Sequence, residues 1–330
     1  MKEHDIRPKH IFDEYLRLTT EDTRSYFQDS VRHDVGCPAC GANGVHAFTK
    51  MGFSYAECPD CSTLYVSPRP ERSAFERYYT DSPSTHYWAT TFYKETEAAR
   101  REKIWKPKAE LISEKLSHFS AFDEIVDVGG GYGTFAEEIN RISGCKVTIV
   151  EPSRHLAEIC RNKGFVVIEK FLEDVSPCDL GHKTRCFVSF ELFEHLYDPA
   201  AFLRCLNRLM RVGDAFIFST LNGMGADIRV LWEHSQAVSP PHHLNFFNSH
   251  SVRKLLATCG FGVIEVTTPG RLDVNIIENS LQHVTDRFWQ TFITHSSENA
   301  KQQLQEFLAA HLLSSHMMVI CKKDSESYNL

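Results

Sequence analysis

Apolar residues fall into two kinds of run along this chain. Short, mostly apolar runs at 125–128, 147–150, 165–168, 186–189 and 215–218 alternate with longer runs whose apolar positions repeat every three or four residues. The first kind predicts buried strands and the second amphipathic helices. Phe135, Ala136, Ile139 and Ile142 form one helical stripe, Leu203, Leu206 and Leu209 another, and Val252, Leu255 and Leu256 a third. From about residue 121 onward, strand and helix therefore alternate as in an α/β domain. Runs 261–266 and 317–320 read as two final strands. The stretch between them, about 271–314, has helical spacing and is far longer than a hairpin loop, so it reads as a helical insertion.

The N-terminal third is patterned differently. Residues 1–35 are a polar arm with one short helical pattern at 11–18, while 53–57 alternates like a ribbon strand. Residues 68–120 read as a helical connector: Phe75, Tyr78 and Tyr79 share one face, and a longer pattern runs from Tyr87, Trp88, Phe92 and Tyr93 through Ile104 and Trp105 to Leu116. The charges at 94–103 read as a solvated face. Tyr87, Trp88 and Tyr93 are candidates either for core packing or for an aromatic roof over a cationic ligand and its reaction partner.

Charge narrows the classes. With 36 Lys and Arg against 43 Asp and Glu, the formal net charge is −7 and no long basic run appears, which argues against nucleic acid and for a small-molecule substrate. The opening MKEHDIRPKH lacks the apolar core of a signal peptide, and no run reaches membrane-span length, so a soluble, cytoplasmic protein without a membrane span is expected. Oligomeric state leaves no mark in the pattern.

Four of the eleven cysteines are paired in sequence. Cys37, Cys40, Cys58 and Cys61 have the spacing C-x2-C-x17-C-x2-C, with Pro after the first Cys of each pair and a small residue after the second. That is the pattern of a four-thiolate zinc ribbon over 36–67, and four thiolates leave no open coordination position, so the Zn2+ would be structural. The other seven cysteines are scattered and read as reduced thiols.

The densest signal is Asp127-Val-Gly-Gly-Gly-Tyr-Gly133, with four glycines in five residues between a strand and a helix. Such a loop lets a ligand approach the backbone at a helix N-terminus. Two patterns fit. Gly131-Tyr-Gly133-Thr-Phe-Ala136, with Glu151 farther on, matches a dinucleotide fingerprint, which would make the chain an NAD(P)-dependent oxidoreductase. The spacing Asp127-x-Gly129-x-Gly131-x-Gly133 resembles the nucleotide-binding loop of class I S-adenosylmethionine-dependent methyltransferases. Asp127 favours the second, because a carboxylate there repels a pyrophosphate but suits a ligand carrying an ammonium and a sulfonium.

Later motifs extend the resemblance. Phe190-Glu191-Leu-Phe-Glu194-His195-Leu-Tyr-Asp198-Pro199 is similar to the family's segment after its fourth strand, above the donor methyl. Asp198 also reads as a helix cap. Glu151, ending the second strand, is placed to take the ribose, and the resemblance makes Phe171, Leu172 and Glu173 candidates for flanking the adenine. Pro240-Pro-His242-His243-Leu-Asn245-Phe-Phe247 resembles a loop that lies beside the acceptor in relatives. It makes His243 a candidate general base, with His242 behind it, His195 the runner-up across the cleft and Asn245 a substrate contact.

The resemblance implies a Rossmann-like class I methyltransferase fold: a seven-stranded, mostly parallel sheet with an antiparallel final hairpin, helices on both faces and the small zinc ribbon in front. It implies S-adenosyl-L-methionine as cofactor and a small acceptor such as a sugar or natural-product precursor. Methylation at carbon of a nucleotide-linked keto-sugar is an alternative, as is a non-catalytic scaffold in which the ribbon recruits a partner.

Overall fold

The computed structural model describes residues 2–119, 122–181 and 183–324. A seven-stranded sheet is built from β6 (Glu124–Val128), β7 (Lys146–Val150), β8 (Val166–Ile168), β9 (Arg185–Ser189), β10 (Ala215–Leu221), β12 (Phe261–Thr267) and β13 (His316–Lys323), in the order β12-β13-β10-β9-β6-β7-β8. Only β13 runs against the others. Successive side chains enter opposite layers, as strand geometry requires. Val126, Phe187, Phe216 and Phe218 pack under helices Pro199–Leu209 and Ser249–Thr258. Ile125, Cys186, Val188 and Ile217 face Trp105, Ala109 and Ile112 of the connector and Phe135 and Ile139 of helix Thr134–Ser143. Chain order reverses beside β6, and a ligand crevice is expected outside the C-terminal ends of strands at such a point.

The cysteine-bearing segment forms a second, four-stranded sheet from β2 (Val45–Lys50), β3 (Phe53–Glu57), β4 (Leu64–Val66) and β11 (Asn245–Phe246). Its last strand comes from the histidine loop, some 180 residues downstream of β4. The Pro-Arg-Pro element also departs from a simple stop: β5 (Arg69–Pro70) pairs antiparallel with β1 (Arg32–His33). The N-terminal helix is Lys9–Phe27, much longer than the pattern at 11–18. Its buried stripe includes Thr19, Asp22 and Thr23, so polar residues hide its length from a reading based on apolar periodicity.

The connector is helical almost throughout 83–116, with wider π-type turns at Trp88–Phe92 and Arg101–Trp105. Helices Asp273–Asn279, Arg287–His295 and Glu298–Ala310 make up most of the insertion, around a small core of their own that includes Val274, Ile277, Ile293 and Leu308. Among the described residues no helix is long and apolar enough to cross a membrane.

Candidate functional site

The glycine loop leaves β6 with Gly129, Gly131 and Gly133 all at positive φ (73°, 55° and 70°), a conformation that L side chains rarely adopt. Gly130 is needed for another reason: a Cβ there would lie 2.8 Å from Ile149 Cγ2 and 3.1 Å from Asp127 Oδ2. The loop borders a hollow to which Asp127, Gly129, Gly130, Tyr132, Thr134 and Phe135 contribute from the loop and its flanks, and Tyr93, Trp105 and Phe190 from the connector and the segment after β9. Tyr93 stacks on Tyr132, with ring centroids 4.9 Å apart.

Asp127 is 2% exposed, and its Oδ2 has no hydrogen-bond partner among the described residues. Burial and then the charge of Glu151 push its carboxyl up to about 7, with Lys108 pulling the other way. An orphaned buried carboxylate beside a glycine cradle that a Cβ would fill suits a ligand bringing a cation. It does not suit a pyrophosphate.

Glu151 accepts hydrogen bonds from the amides of Gly131 (3.0 Å) and Ser153 (2.9 Å), so it braces the loop whatever else it binds. Leu172 lies in the core, while Phe171 and Glu173 are exposed, and none of these three lines the hollow. Phe190 does, packed edge-on against Phe135. Glu191 follows at φ 57° and meets Lys108 Nζ at 3.2 Å and the Ser219 hydroxyl at 3.1 Å. Burial alone would raise the Glu191 carboxyl, but Lys108, His316 and Arg100 together hold it well below the usual carboxylate range.

Sequence reasoning missed Lys108 and Arg100. Both are buried on the connector, Lys108 Nζ lying 4.7 Å from the centre of the Phe190 ring and Arg100 5.8 Å from that of Tyr93. Solvated-face assignment holds for Lys94 and Glu95 and fails for Arg100, whose Nε has no hydrogen-bond partner among the described residues.

At the His195 end of the Phe190–His195 segment three imidazoles meet. His195 and His243 have ring centroids 4.8 Å apart, and His195 and His242 5.9 Å. His243 Nδ1 lies 2.6 Å from the Ala237 carbonyl, which fixes the proton on Nδ1 and leaves Nε2 as the bare lone pair. His242 Nε2 is bonded to the Tyr78 hydroxyl at 2.7 Å. Burial keeps all three rings neutral at pH 7: His243 is lowered to about 4, His242 to about 3 and His195 well below its ordinary value. Glu194, buried beside them, is raised by burial and by the charge of Glu191.

Tyr15 of the N-terminal helix packs on both His242 and Trp88. Of the three predicted roof aromatics, Tyr93 lines the hollow, Trp88 packs edge-on against Tyr93 with ring centroids 6.0 Å apart, and the Tyr87 hydroxyl donates to the Ile11 carbonyl at 3.4 Å. Asn245, the expected substrate contact, is fully buried; its Oδ1 accepts from Arg69 (3.0 Å) and its amide donates to the Leu196 carbonyl (2.7 Å), so it clamps the loop.

The four cysteines converge. Sγ separations are 3.5 Å for Cys37–Cys61, 3.5 Å for Cys40–Cys58 and 3.7 Å for Cys40–Cys61. These are far beyond the ~2.05 Å of a disulfide, and near the ~3.8 Å edge of a tetrahedron with Zn–S bonds of about 2.3 Å. Each pair sits in a knuckle closed by Gly41 N to Cys37 O and by Ser62 N to Cys58 O. The donor set therefore fits Zn2+. From this knuckle the ribbon reaches the histidine loop: the Cys61 carbonyl accepts from Asn248 Nδ2 (2.7 Å) and the Tyr55 hydroxyl donates to the His243 carbonyl (2.9 Å). Asp198 caps its helix through Ala201 N, as expected.

Parts of the chain resemble known proteins. An O-methyltransferase of ubiquinone biosynthesis from Methylocella silvestris is 31% identical over 104 residues, covering 30% of this chain and 40% of the relative. A probable S-adenosylmethionine-dependent methyltransferase from Mycolicibacterium smegmatis is 26% identical over 170 residues, or 49% of this chain and 61% of the relative. The chain thus spans less than two thirds of either relative. Among solved structures, the plantazolicin methyltransferase BpumL in complex with SAH superposes with a TM-score of 0.48 at 13% identity, covering 76% of this chain and 93% of that one. A family profile described as a methyltransferase domain matches residues 97–266, just over half of the chain, from the connector through β12. The chain belongs to that methyltransferase-domain family.

Proposed function

We propose that this protein transfers the methyl group of S-adenosylmethionine to a hydroxyl oxygen of a small acceptor of sugar or natural-product type, with His243 as general base and a structural Zn2+ in the four-cysteine site. The observation that carries the reading is that one short segment takes part in two unlike sites. Phe190, at its start, lines the hollow of the glycine loop with the unpartnered Asp127, and His195, at its end, meets His242 and His243. Relatives named for O-methylation support oxygen as the receiving atom.

The donor supplies an electrophilic methyl group. What the chain must add is alignment and a place for the acceptor's proton. Asp127 would face the ammonium, and Arg100 is a buried cation suited to the carboxylate. Tyr93 and Phe190, which line the hollow, would shield the bound donor from water. His243 Nε2, held by the Nδ1–Ala237 contact, would take the hydroxyl proton as oxygen attacks carbon.

Calorimetric titration of the zinc-replete protein with S-adenosylhomocysteine, and in parallel with NAD(H) and NADP(H), tests the donor class. Micromolar affinity for the first alone, about −8 kcal/mol, is the expected result. Binding of a dinucleotide instead would return the glycine loop to the oxidoreductase pattern. For the base, His243→Ala is expected to abolish transfer of labelled methyl to a panel of hydroxylated acceptors while leaving S-adenosylhomocysteine affinity unchanged. Normal turnover in that variant would remove the role.

A further inference from the structure

Glu194, His195 and His243 do more than line the acceptor side. One ligand atom from each lies within 4.8 Å of both others. Metal bonds of about 2.0–2.2 Å to nitrogen and oxygen put the ligands of a tetrahedral ion about 3.4 Å apart, a contraction that side-chain rotation can supply.

Two of the three groups, His243 and Glu194, are also held as ligands are held. His243 Nδ1 is fixed on the Ala237 carbonyl at 2.6 Å, which aims the other ring nitrogen as a lone pair. Glu194 Oε2 accepts from the Thr220 hydroxyl at 3.0 Å. Leu244 N donates to the Glu194 carbonyl at 2.9 Å, which fixes the spacing between the two segments that carry the ligands. Such outer contacts orient ligands before a metal arrives.

We propose that Glu194, His195 and His243 form a second metal site, distinct from the cysteine cluster, for a divalent first-row transition ion that binds the acceptor's oxygen. Two imidazoles and one carboxylate select such an ion over Mg2+ or Ca2+, which prefer all-oxygen shells. Three protein ligands leave at least one position open, as in catalytic and unlike structural sites. The acceptor class narrows accordingly to a hydroxyl with a second oxygen beside it, such as a vicinal diol or an α-hydroxy ketone, which can chelate the ion. In the transfer, the metal-bound hydroxyl loses its proton to solvent and the oxygen forms the new bond to the donor methyl. The carbon–sulfur pair returns to sulfur, and nothing is oxidised or reduced. An ion held there would take over the activation of the hydroxyl assigned above to the free His243 imidazole, so the two readings share the acceptor side and differ only in whether the His243 Nε2 lone pair meets a metal or a proton.

This inference rests on the acceptor side assigned above, and its test separates the two. Mn2+ competes poorly for thiolates, so titration of the zinc-replete, chelator-washed full-length protein with Mn2+, followed by electron paramagnetic resonance of the free ion, reports the second site alone. Stoichiometric uptake by the unaltered protein is expected, weakened at least about tenfold in both Glu194→Gln and His243→Ala. Circular dichroism and S-adenosylhomocysteine affinity serve as checks that each variant folds. No uptake by the unaltered protein overturns the proposal and leaves His243 as a base. Uptake that survives both substitutions overturns it as well. Loss of S-adenosylhomocysteine binding in the unaltered protein would instead sink the donor reading, whatever the Mn2+ result.

Discussion

Asp127 is the group whose protonation a cationic ligand changes most. Its carboxyl is held at about 7 by burial and Glu151, against about 3.9 in an unfolded chain. An ammonium placed beside it favours the ionised form and lowers that value. At a pH between the free and bound values, the complex binds fewer protons than the free protein, so binding releases protons to the buffer. S-adenosylhomocysteine titrated near pH 6.5 should therefore give heats that differ between buffers of high and low ionisation enthalpy. The difference should vanish at the same pH in Asp127→Asn. Heats independent of buffer at pH 6.5 would mean that Asp127 does not meet the ligand's cation. Asp127 and the glycines were legible in the sequence because a tight turn fixes both their identity and their spacing. Lys108 and Arg100 were not, because the wider turns at Trp88–Phe92 and Arg101–Trp105 rotate the connector's faces out of the 3.6-residue register that pattern reading assumes.

The ribbon and the histidine loop behave as one element. β4 pairs with β11, Val66 N donates to the Leu244 carbonyl, and Tyr55 and the Cys61 carbonyl hold the residues on either side. A two-residue strand such as β11 carries no alternation to read, so local pattern identified the cysteine knuckles and missed what they hold. On the function proposed above, a zinc ion held by the cysteines would support acceptor chemistry through this loop without touching the acceptor. Replacing Cys58 and Cys61 together by Ser should remove the structural zinc and unfold the knuckles, since such sites fold only around their ion. Methyl transfer should then fall at least about tenfold, as for lost outer support of a reacting group. S-adenosylhomocysteine affinity should hold, because the donor hollow is built from β6, β9 and the connector. A parallel loss of donor affinity would show that the ribbon supports the sheet domain as well as the loop.

The helical insertion was visible as a length of helical spacing between the last two strands, but what fastens it was not, since its anchor is a pair of like charges. Asp273, at the start of the insertion, accepts from Ser314, from Ser315 N (2.7 Å) and from Gln305 (2.7 Å). Asp227, on helix Ala226–Leu231, is 1% exposed, and burial together with the charge of Asp273 raises its carboxyl above the ordinary value. Because the folded value exceeds the unfolded one, the folded protein holds a proton that the unfolded chain gives up as pH rises past about 4. Stability is therefore lost with rising pH, by about 1.4 kcal/mol per unit, until the folded carboxyl itself ionises. Asp227→Asn keeps the shape, offers an N–H toward Asp273 and has nothing to ionise. Its melting temperature should stay close to that of the unaltered protein near pH 4 and rise above it at pH 8 by several degrees, at about 1–2 °C per kcal/mol for a chain of this length. Scanning calorimetry at the two pH values checks the sign. A gap of equal size at both would mean that hydrogen bonding, and not the charge pair, sets the stability of this junction.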